Sequence, residues 1–572
     1  GVSWLYDELK PGIDPMGPEN KLIFLTGPLC GTNAQCFGRW KVFFKSPLTG
    51  GYFKSSGGGH FGAELKFAGL DGVIIEGKSE KPVYLRINEG KYELRDAAYL
   101  ADLCCDDIHT LIREELKDPR TRIACTGPAG DNMVKYAGIF SDRRTAGRGG
   151  GGTVMASKNL KAIAVRGQSK VPLSDPEAFS AAVKEQINLI RNHPAYKNFS
   201  YRGTQNAEWS NLLGMSPTRN FREGVLPGWE KIEATNYHPL RVRHYACHNC
   251  MVHCASLTKV HTGHYKGWWS EGPEYETIWG FTGPIVSNEI GLTIAADRLC
   301  DELGVDTISA AGSIALAYEM YEKGLITKED TGGLELIYGR HEPVLPLIRQ
   351  IASRQGFGDL MAEGTREMAR RIGQGSEDYA IHVKGLELPG YDPRGAKSHG
   401  LNLMTTAIGA DHNSGYASQE SHGVAYKGKT LDRFATEGKG ELTKYNQDMT
   451  AIHDCGILCV FPSVLFMRDS LDLFGRLLSA ATGIKDFEDT DHLWKIGDRI
   501  MNLERMFNVR EGFGRKDDVM PKRITGQTLP EGPSAGKWFE AEELLADYYR
   551  VRGWDLETGV PTPEKLKELG LA

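Results

Sequence analysis

No stretch of this 572-residue chain approaches the roughly 20 consecutive apolar residues that a membrane-spanning helix needs. The apolar segment 455–467 is interrupted by Pro462. Extended runs of Lys and Arg are also missing, and the net charge is −6, which disfavours a nucleic-acid partner because such a surface needs clustered cations. No charged-then-apolar leader opens the sequence. Instead "GVSWLYDELKPGIDP" runs straight into a strand, as the middle of a domain does, so we expect a further N-terminal segment. A disulfide framework is disfavoured too: the eleven cysteines are odd in number and unevenly spaced. A reducing cytoplasm is the expected compartment. There, closely spaced cysteines point to metal binding or catalysis. Neither glycine-rich stretch of the chain, "KSSGGGHFGAE" or "AGRGGGGTVMASKNLKAI", follows the Walker pattern, so a nucleoside-triphosphate site is not expected there.

With 40% hydrophobic residues, the chain can bury large cores and is not a disordered or fibrous one. Up to about residue 168 the apolar runs "KLIFLTG", "GVIIEG", "PVYLRI" and "LKAIAVRG" are short and bounded by turn residues, as strands are. Then "VPLSDPEAFSAAVKEQINLI" changes the period, and Ser174 with Glu177 predicts a capping box before a long helix. Helix-like apolar spacing recurs at about 287–303, 307–323, 343–355, 359–372, 490–508 and 540–551. The expected class is α+β: a β-rich domain (1–168) followed by two mainly helical domains (169–380 and 381–572). The turn-rich "GLELPGYDPRG" marks the second boundary.

Four features carry chemistry. "YACHNCMVHCASL" places Cys247, Cys250 and Cys254 at C-x2-C-x3-C spacing, and His244, His248 and His253 make the stretch too polar for ordinary core. Tetrahedral zinc could use Cys and His together. A [4Fe–4S] cube needs four thiolates, the fourth often remote; Cys459 is the first candidate and Cys455 the second. Two glycine-rich stretches, "KSSGGGHFGAE" and "AGRGGGGTVMASKNLKAI", expose backbone N–H groups, and Arg39, Arg148, Lys158 and Lys161 nearby suit phosphate. "EGPEYETIWG" carries Glu274 and Glu276, and "GADHNSGYA" carries His412; a Glu and a His from separate domains could meet as an acid–base pair. Finally, "DELGVD" (301–306) is echoed by "DCGILC" (454–459), one in each expected helical domain.

Taken together these stretches resemble the tungsten-dependent aldehyde:ferredoxin oxidoreductase family. The resemblance runs over nearly the whole chain, through "GPLCGT", "KSPLTGG", "FGAELKFAGLDGVIIEGKS", "RGGGGTVMASKNLKAIAVRG", "SEGPEYET", "ELGVDTISA", "GFGDLMAEG" and "GADHNSGY". It implies a β-rich pterin-binding domain and one tungsten held by the dithiolenes of two pterins (tungstopterin). It further implies a [4Fe–4S] cluster on Cys247, Cys250, Cys254 and Cys459. Asp301, Asp306 and Asp454, with Leu458, are implied at the pterin ring edges. The usual glycine of that motif falls one place early in the second copy, at Gly456. Arg39, Ser56, Gly58 and Ala146, with Gly147 and Arg148, are implied around the pterin phosphates and a bridging Mg2+; Ser56 stands where Asn is expected. Arg39 is also placed to bridge pterin and cube.

The implied reaction is aldehyde plus water to carboxylic acid, or its reverse. Glu274 would take a proton from water near the tungsten, and His412 would hydrogen-bond the carbonyl oxygen. Glu276 would point the other way on an extended segment. Electrons would leave through the cube to ferredoxin or a partner iron–sulfur subunit, in an oligomeric assembly. A ring-reducing benzoyl-CoA reductase subunit is the nearest alternative. An electron-transfer or structural metal module without a substrate site is the alternative of another class.

Overall fold

The structure is a computed structural model and describes residues 1–572. All four apolar runs of the first third form strands: Leu22–Leu25, Gly72–Ile75, Val83–Asn88 and Leu160–Arg166. Two sheets result. One has four antiparallel strands in the order Tyr52–Gly57, Trp40–Lys45, Leu22–Leu25, Gly72–Ile75. The other has six, running Lys91–Asp96, Val83–Asn88, Leu160–Arg166, Arg122–Cys125, Ile139–Ser141, Arg144–Ala146. In that sheet only the pairing of Leu160–Arg166 with Val83–Asn88 is parallel.

Helices dominate the remainder. The expected long helix after the first domain is Pro176–Asn192, but its cap is Asp175, not Ser174: the Asp175 carboxylate accepts the Ala178 N–H at 2.9 Å. Proline at the first helical position supplies the fixed φ that helix starts favour. The helices expected near 287–303 and 307–323 are Ile290–Leu303 and Thr307–Glu322. The single helix expected at 359–372 is two, Phe357–Met361 and Thr365–Ile372, parted at Gly364, whose φ of 85° an L side chain resists. The remaining expectations correspond to Val344–Ser353, Thr490–Arg510 and Ala541–Arg552.

The cores cross the sequential divisions at 168 and 380. Helix Pro176–Asn192 packs with Leu471–Thr482 in a cluster that also takes Leu29, Phe37, Val252 and Ile452. Gly27 lies so close to the backbone carbonyl of Gly456 that a Cβ there would sit 2.2 Å from its oxygen. The first domain is thereby keyed onto the end of helix Lys439–Gly456.

Candidate active site

The cysteine motif is the loop of a β-hairpin. Strands Arg241–Tyr245 and Ala255–Lys259 pair antiparallel with Tyr245 opposite Ala255, so residues 246–254 are pinched at their base. Cys247, Cys250 and Cys254 line one cavity with Cys459, Arg39, Arg144, Tyr245 and a further thiol, Cys36. Cys455 instead lines a separate cavity of about 540 Å³ with Lys41, Lys54 and Asp454. No three His, Cys, Asp or Glu side chains anywhere in the chain converge as one metal ion requires. Thiols arranged around a space suit a multi-atom cluster better than mononuclear zinc. Donors already face these sulfurs: the Gly59 N–H reaches Cys247 Sγ at 3.2 Å and Arg39 Nη1 reaches Cys459 Sγ at 3.7 Å. Cys250 is pushed down to about 6, first by its contact with Cys36.

The echoed motifs fold alike. After helix Ile290–Leu303 the chain turns through Gly304 (φ 82°), and the Val305 N–H returns to the Cys300 carbonyl at 2.9 Å. After helix Lys439–Gly456 it turns through Ile457 (φ 58°), and the Leu458 N–H returns to the His453 carbonyl at 3.0 Å. The early glycine therefore leaves the turn intact, with a β-branched residue accepting the left-handed conformation. This turn carries Asp454 and Cys459 to opposite ends of one short segment.

The three aspartates differ in what they meet. Asp306 caps helix Thr307–Glu322, accepting the N–H groups of Ile308 and Ser309 at 3.2 Å each. Its carboxylate also lies 3.5 Å from Arg148 Nε. Asp454 pairs with Lys41 at 2.7 Å and Lys54 at 3.3 Å. Burial opposes its ionisation, yet these two cations hold it below the usual carboxylate range. Asp301 forms no ion pair, and burial pushes it well above that range. Lys41 and Lys54 were not singled out from the sequence. Their signal was there, since "WKVFFK" and "YFKSSG" put lysines into strands buried on both faces, where a charge needs a partner.

Around the expected phosphate site, Arg39 Nε donates to Ser56 Oγ and Nη2 to the Ser56 carbonyl, both at 3.1 Å. Gly58 lies against Cys247 and Arg39. Strand Tyr52–Gly57 packs on strand Arg144–Ala146, and Gly147 faces Asp306. Arg148 donates to the carbonyls of Glu387 and Ala410, each at 2.7 Å, joining this wall to the last third of the chain. Lys158 and Lys161 do not join it. Lys158 bonds the carbonyls of Pro18 and Gly77, and Lys161 pairs with Asp131.

The glutamate that meets His412 is Glu276, not Glu274. His412 Nε2 lies 3.7 Å from Glu276 Oε1, while Glu274 turns to Arg144 (3.2 Å) and Thr204. The extended segment that would send Glu276 away is absent: Glu274 is the N-cap of helix Tyr275–Gly280, and Glu276 sits in its first turn. The Glu276 side chain is 13% exposed and that of Glu274 37%. Glu276 Oε2 accepts the Gly390 N–H at 2.9 Å. Glu276 Oε1, His412 Nδ1 and both ring nitrogens of His399 are buried without a hydrogen-bond partner. Such atoms are costly unless a ligand or water meets them, so together they mark a site. Burial pushes Glu276 up to about 8 and His412 down to about 4. At neutral pH both are therefore uncharged. Tyr391 stacks on His412 at 5.3 Å and lies 4.5 Å from His399, with Tyr416 and Trp209 completing an aromatic wall.

A thiol-lined cavity whose Arg144 pairs with Glu274, two residues from the buried Glu276–His412 contact, has the make-up of a multi-centre redox site. The chain belongs to the aldehyde ferredoxin oxidoreductase family: "Aldehyde ferredoxin oxidoreductase, N-terminal domain" matches residues 1–167 and "domains 2 & 3" matches residues 181–571. It is 41% identical over 577 residues to the tungsten-containing aldehyde ferredoxin oxidoreductase of Pyrococcus furiosus, covering 99% of this chain and 93% of the relative. It is 31% identical over 592 residues to the WOR-like subunit of the aliphatic sulfonate oxidoreductase of the same organism, covering 98% of this chain and 89% of that one. Among solved structures, the active site complex BamBC of benzoyl coenzyme A reductase with 1,5 dienoyl-CoA is similar. Its TM-score is 0.85 at 27% identity, covering 100% of this chain and 92% of that one.

Proposed function

We propose that this chain oxidises aldehydes to carboxylic acids, and runs the reverse reduction, with tungstopterin and a [4Fe–4S] cluster. Ferredoxin or a partner iron–sulfur subunit would take the electrons, in an oligomer within a reducing cytoplasm. No helix is long and apolar enough to cross a membrane. The observation that carries the reading is the buried Glu276–His412 pair with its unmatched polar atoms. A structural or electron-transfer module would have no use for it.

The residues present fit the cofactors. Cys247, Cys250, Cys254 and Cys459 would ligate the cluster. Asp301, Asp306, Asp454 and the Leu458 backbone would hold the pterin edges, since carboxylates accept from ring N–H groups. Lys41 and Lys54 would orient Asp454 there. Arg39, Ser56, Gly58, Ala146, Gly147 and Arg148 would surround the phosphates and Mg2+. When bound, tungstopterin supplies the two-electron acceptor for the substrate.

The chain's own residues do the rest. His412 Nδ1, which no protein group meets, donates its N–H to the carbonyl oxygen and makes the carbon more electrophilic. Glu276 Oε1 takes the proton of the attacking water when ionised and returns it in the reverse direction. Tyr391 fixes the His412 ring by stacking, and the aromatic wall excludes bulk water. Glu274, bound to Thr204, would hold Arg144 in place at the wall of the thiol-lined cavity.

Metal analysis and turnover test the reading. Tungsten with about four irons per chain, and aldehyde-dependent reduction of a low-potential dye, are expected; zinc alone rejects it. The likeness to benzoyl coenzyme A reductase favours one second reading, ring reduction on a CoA thioester. Activity confined to acyl-CoA substrates would establish that instead.

A further inference from the structure

Cys36 belongs to no motif, yet it is held at the cluster cavity from both sides. Its N–H donates to the Asn249 carbonyl at 3.1 Å, between two of the cysteines, and its carbonyl accepts the Cys459 N–H at 3.0 Å. Its Sγ lies 3.6 Å from Cys250 Sγ, the residue is 2% exposed, and it lines the cavity with the other four thiols. Its φ of 71° places a non-glycine residue in the left-handed region, which an L side chain resists. Strain of that kind persists where surrounding structure over-determines it, and it clusters at functional sites. The Asn249 side chain reinforces the clamp by donating to the Thr32 and Ala34 carbonyls at 3.0 and 3.4 Å.

The geometry points to Cys36 as a fifth thiol of the cluster site that does not ligate iron, but donates an S–H hydrogen bond to the Cys250 thiolate and raises the cluster's reduction potential. Cys247 receives a donor from Gly59 and Cys459 one from Arg39. Cys36 gives Cys250 the corresponding donor. Hydrogen bonds to cluster sulfurs tune these potentials, because a donor's positive end stabilises the more electron-rich reduced state. Cys36 is a tuning residue: it touches a ligand, neither substrate nor iron.

The inference rests on the [4Fe–4S] reading, so the intact protein is titrated first. If it shows no iron–sulfur signature, that reading fails before any variant is compared. The test is an equilibrium redox titration of the intact protein, Cys36→Ala and Cys36→Ser, following the reduced cluster by EPR, with iron counted in each. Both variants should keep the parent's iron and EPR line shape. Cys36→Ala should titrate at a more negative potential, and Cys36→Ser, which keeps an O–H donor, should move back toward the parent. An unchanged potential in Cys36→Ala overturns the proposal. Loss of iron in Cys36→Ala also overturns it, by making Cys36 a ligand. A shift as large in Cys36→Ser as in Cys36→Ala overturns it by showing that packing, not a donor, is responsible.

Discussion

Glu276 Oε1 faces His412 Nε2 at 3.7 Å across the boundary between the middle and last thirds of the chain. Burial holds both uncharged at neutral pH, so the contact is not a salt bridge. At that distance the two do not hydrogen-bond each other, so Glu276 Oε1 and His412 Nδ1 both stay without a protein partner. Glu276→Gln keeps the shape and removes the base. The expected outcome is a protein that retains tungsten and iron and loses turnover by about 10²-fold or more, the usual scale for a positioned general base. Glu274→Gln, measured beside it, should keep most of its turnover. The reverse order of severity would return the role to Glu274.

The direction of catalysis should decide the sign of the pH dependence. A carboxyl raised to about 8 is neutral below that value and ionised above it. Aldehyde oxidation needs the ionised base, so kcat/KM should climb with pH and level off above about 8. Acid reduction needs the protonated form and should fall over the same range. Both limbs should vanish in Glu276→Gln. The same shift has a cost for stability: the neutral buried form is present at low pH, and that contribution is lost as pH rises through about 8. A pH–rate profile in both directions, with the variant as control, checks the assignment.

Cluster ligation separates two cysteines four residues apart. Cys459 lines the cavity of Cys247, Cys250 and Cys254, whereas Cys455 faces the cavity holding Lys41 and Lys54. Cys459→Ser should lose or convert the cluster, and Cys455→Ser should leave its EPR signal and iron content unchanged. The opposite pattern would reassign the fourth ligand.

Much of this was legible in the sequence wherever local chemistry decides structure. The four strand runs of the first domain are bounded by turn residues, and the C-x2-C-x3-C spacing needs only a hairpin. Helix Lys439–Gly456 escaped because it is buried on nearly all sides and carries Asn446, Gln447, Asp448 and His453 inward, which mutes the apolar period. Glu276 was misjudged for a different reason. Its direction depends on whether the helix begins before or after it, and helix starts are uncertain by a residue or two. Cys36 carries no spacing signal, since its partner Cys250 is 214 residues away.

Asp454 offers the sharpest test of how the second echoed motif serves the cofactor. It is held between Lys41 and Lys54, and Lys54 is shared with Glu504 at 3.0 Å. Burial drives Lys41 below its usual range, and Asp454 is the first group opposing that shift. Asp454→Asn therefore strips Lys41 of its partner while Lys54 keeps one. Removing one member of a buried pair costs roughly 3–5 kcal/mol, because the remaining charge stays buried. Part of that is recovered if Lys41 gives up its proton, so the apoprotein should unfold at lower denaturant but still fold. Pterin retention should suffer more than stability, since the amide replaces one acceptor with a donor facing ring N–H groups. The double variant Asp454→Asn with Lys41→Met removes the stranded cation. It should restore much of the stability and none of the pterin, and recovery of both together would show that Asp454 acts only as the partner of Lys41.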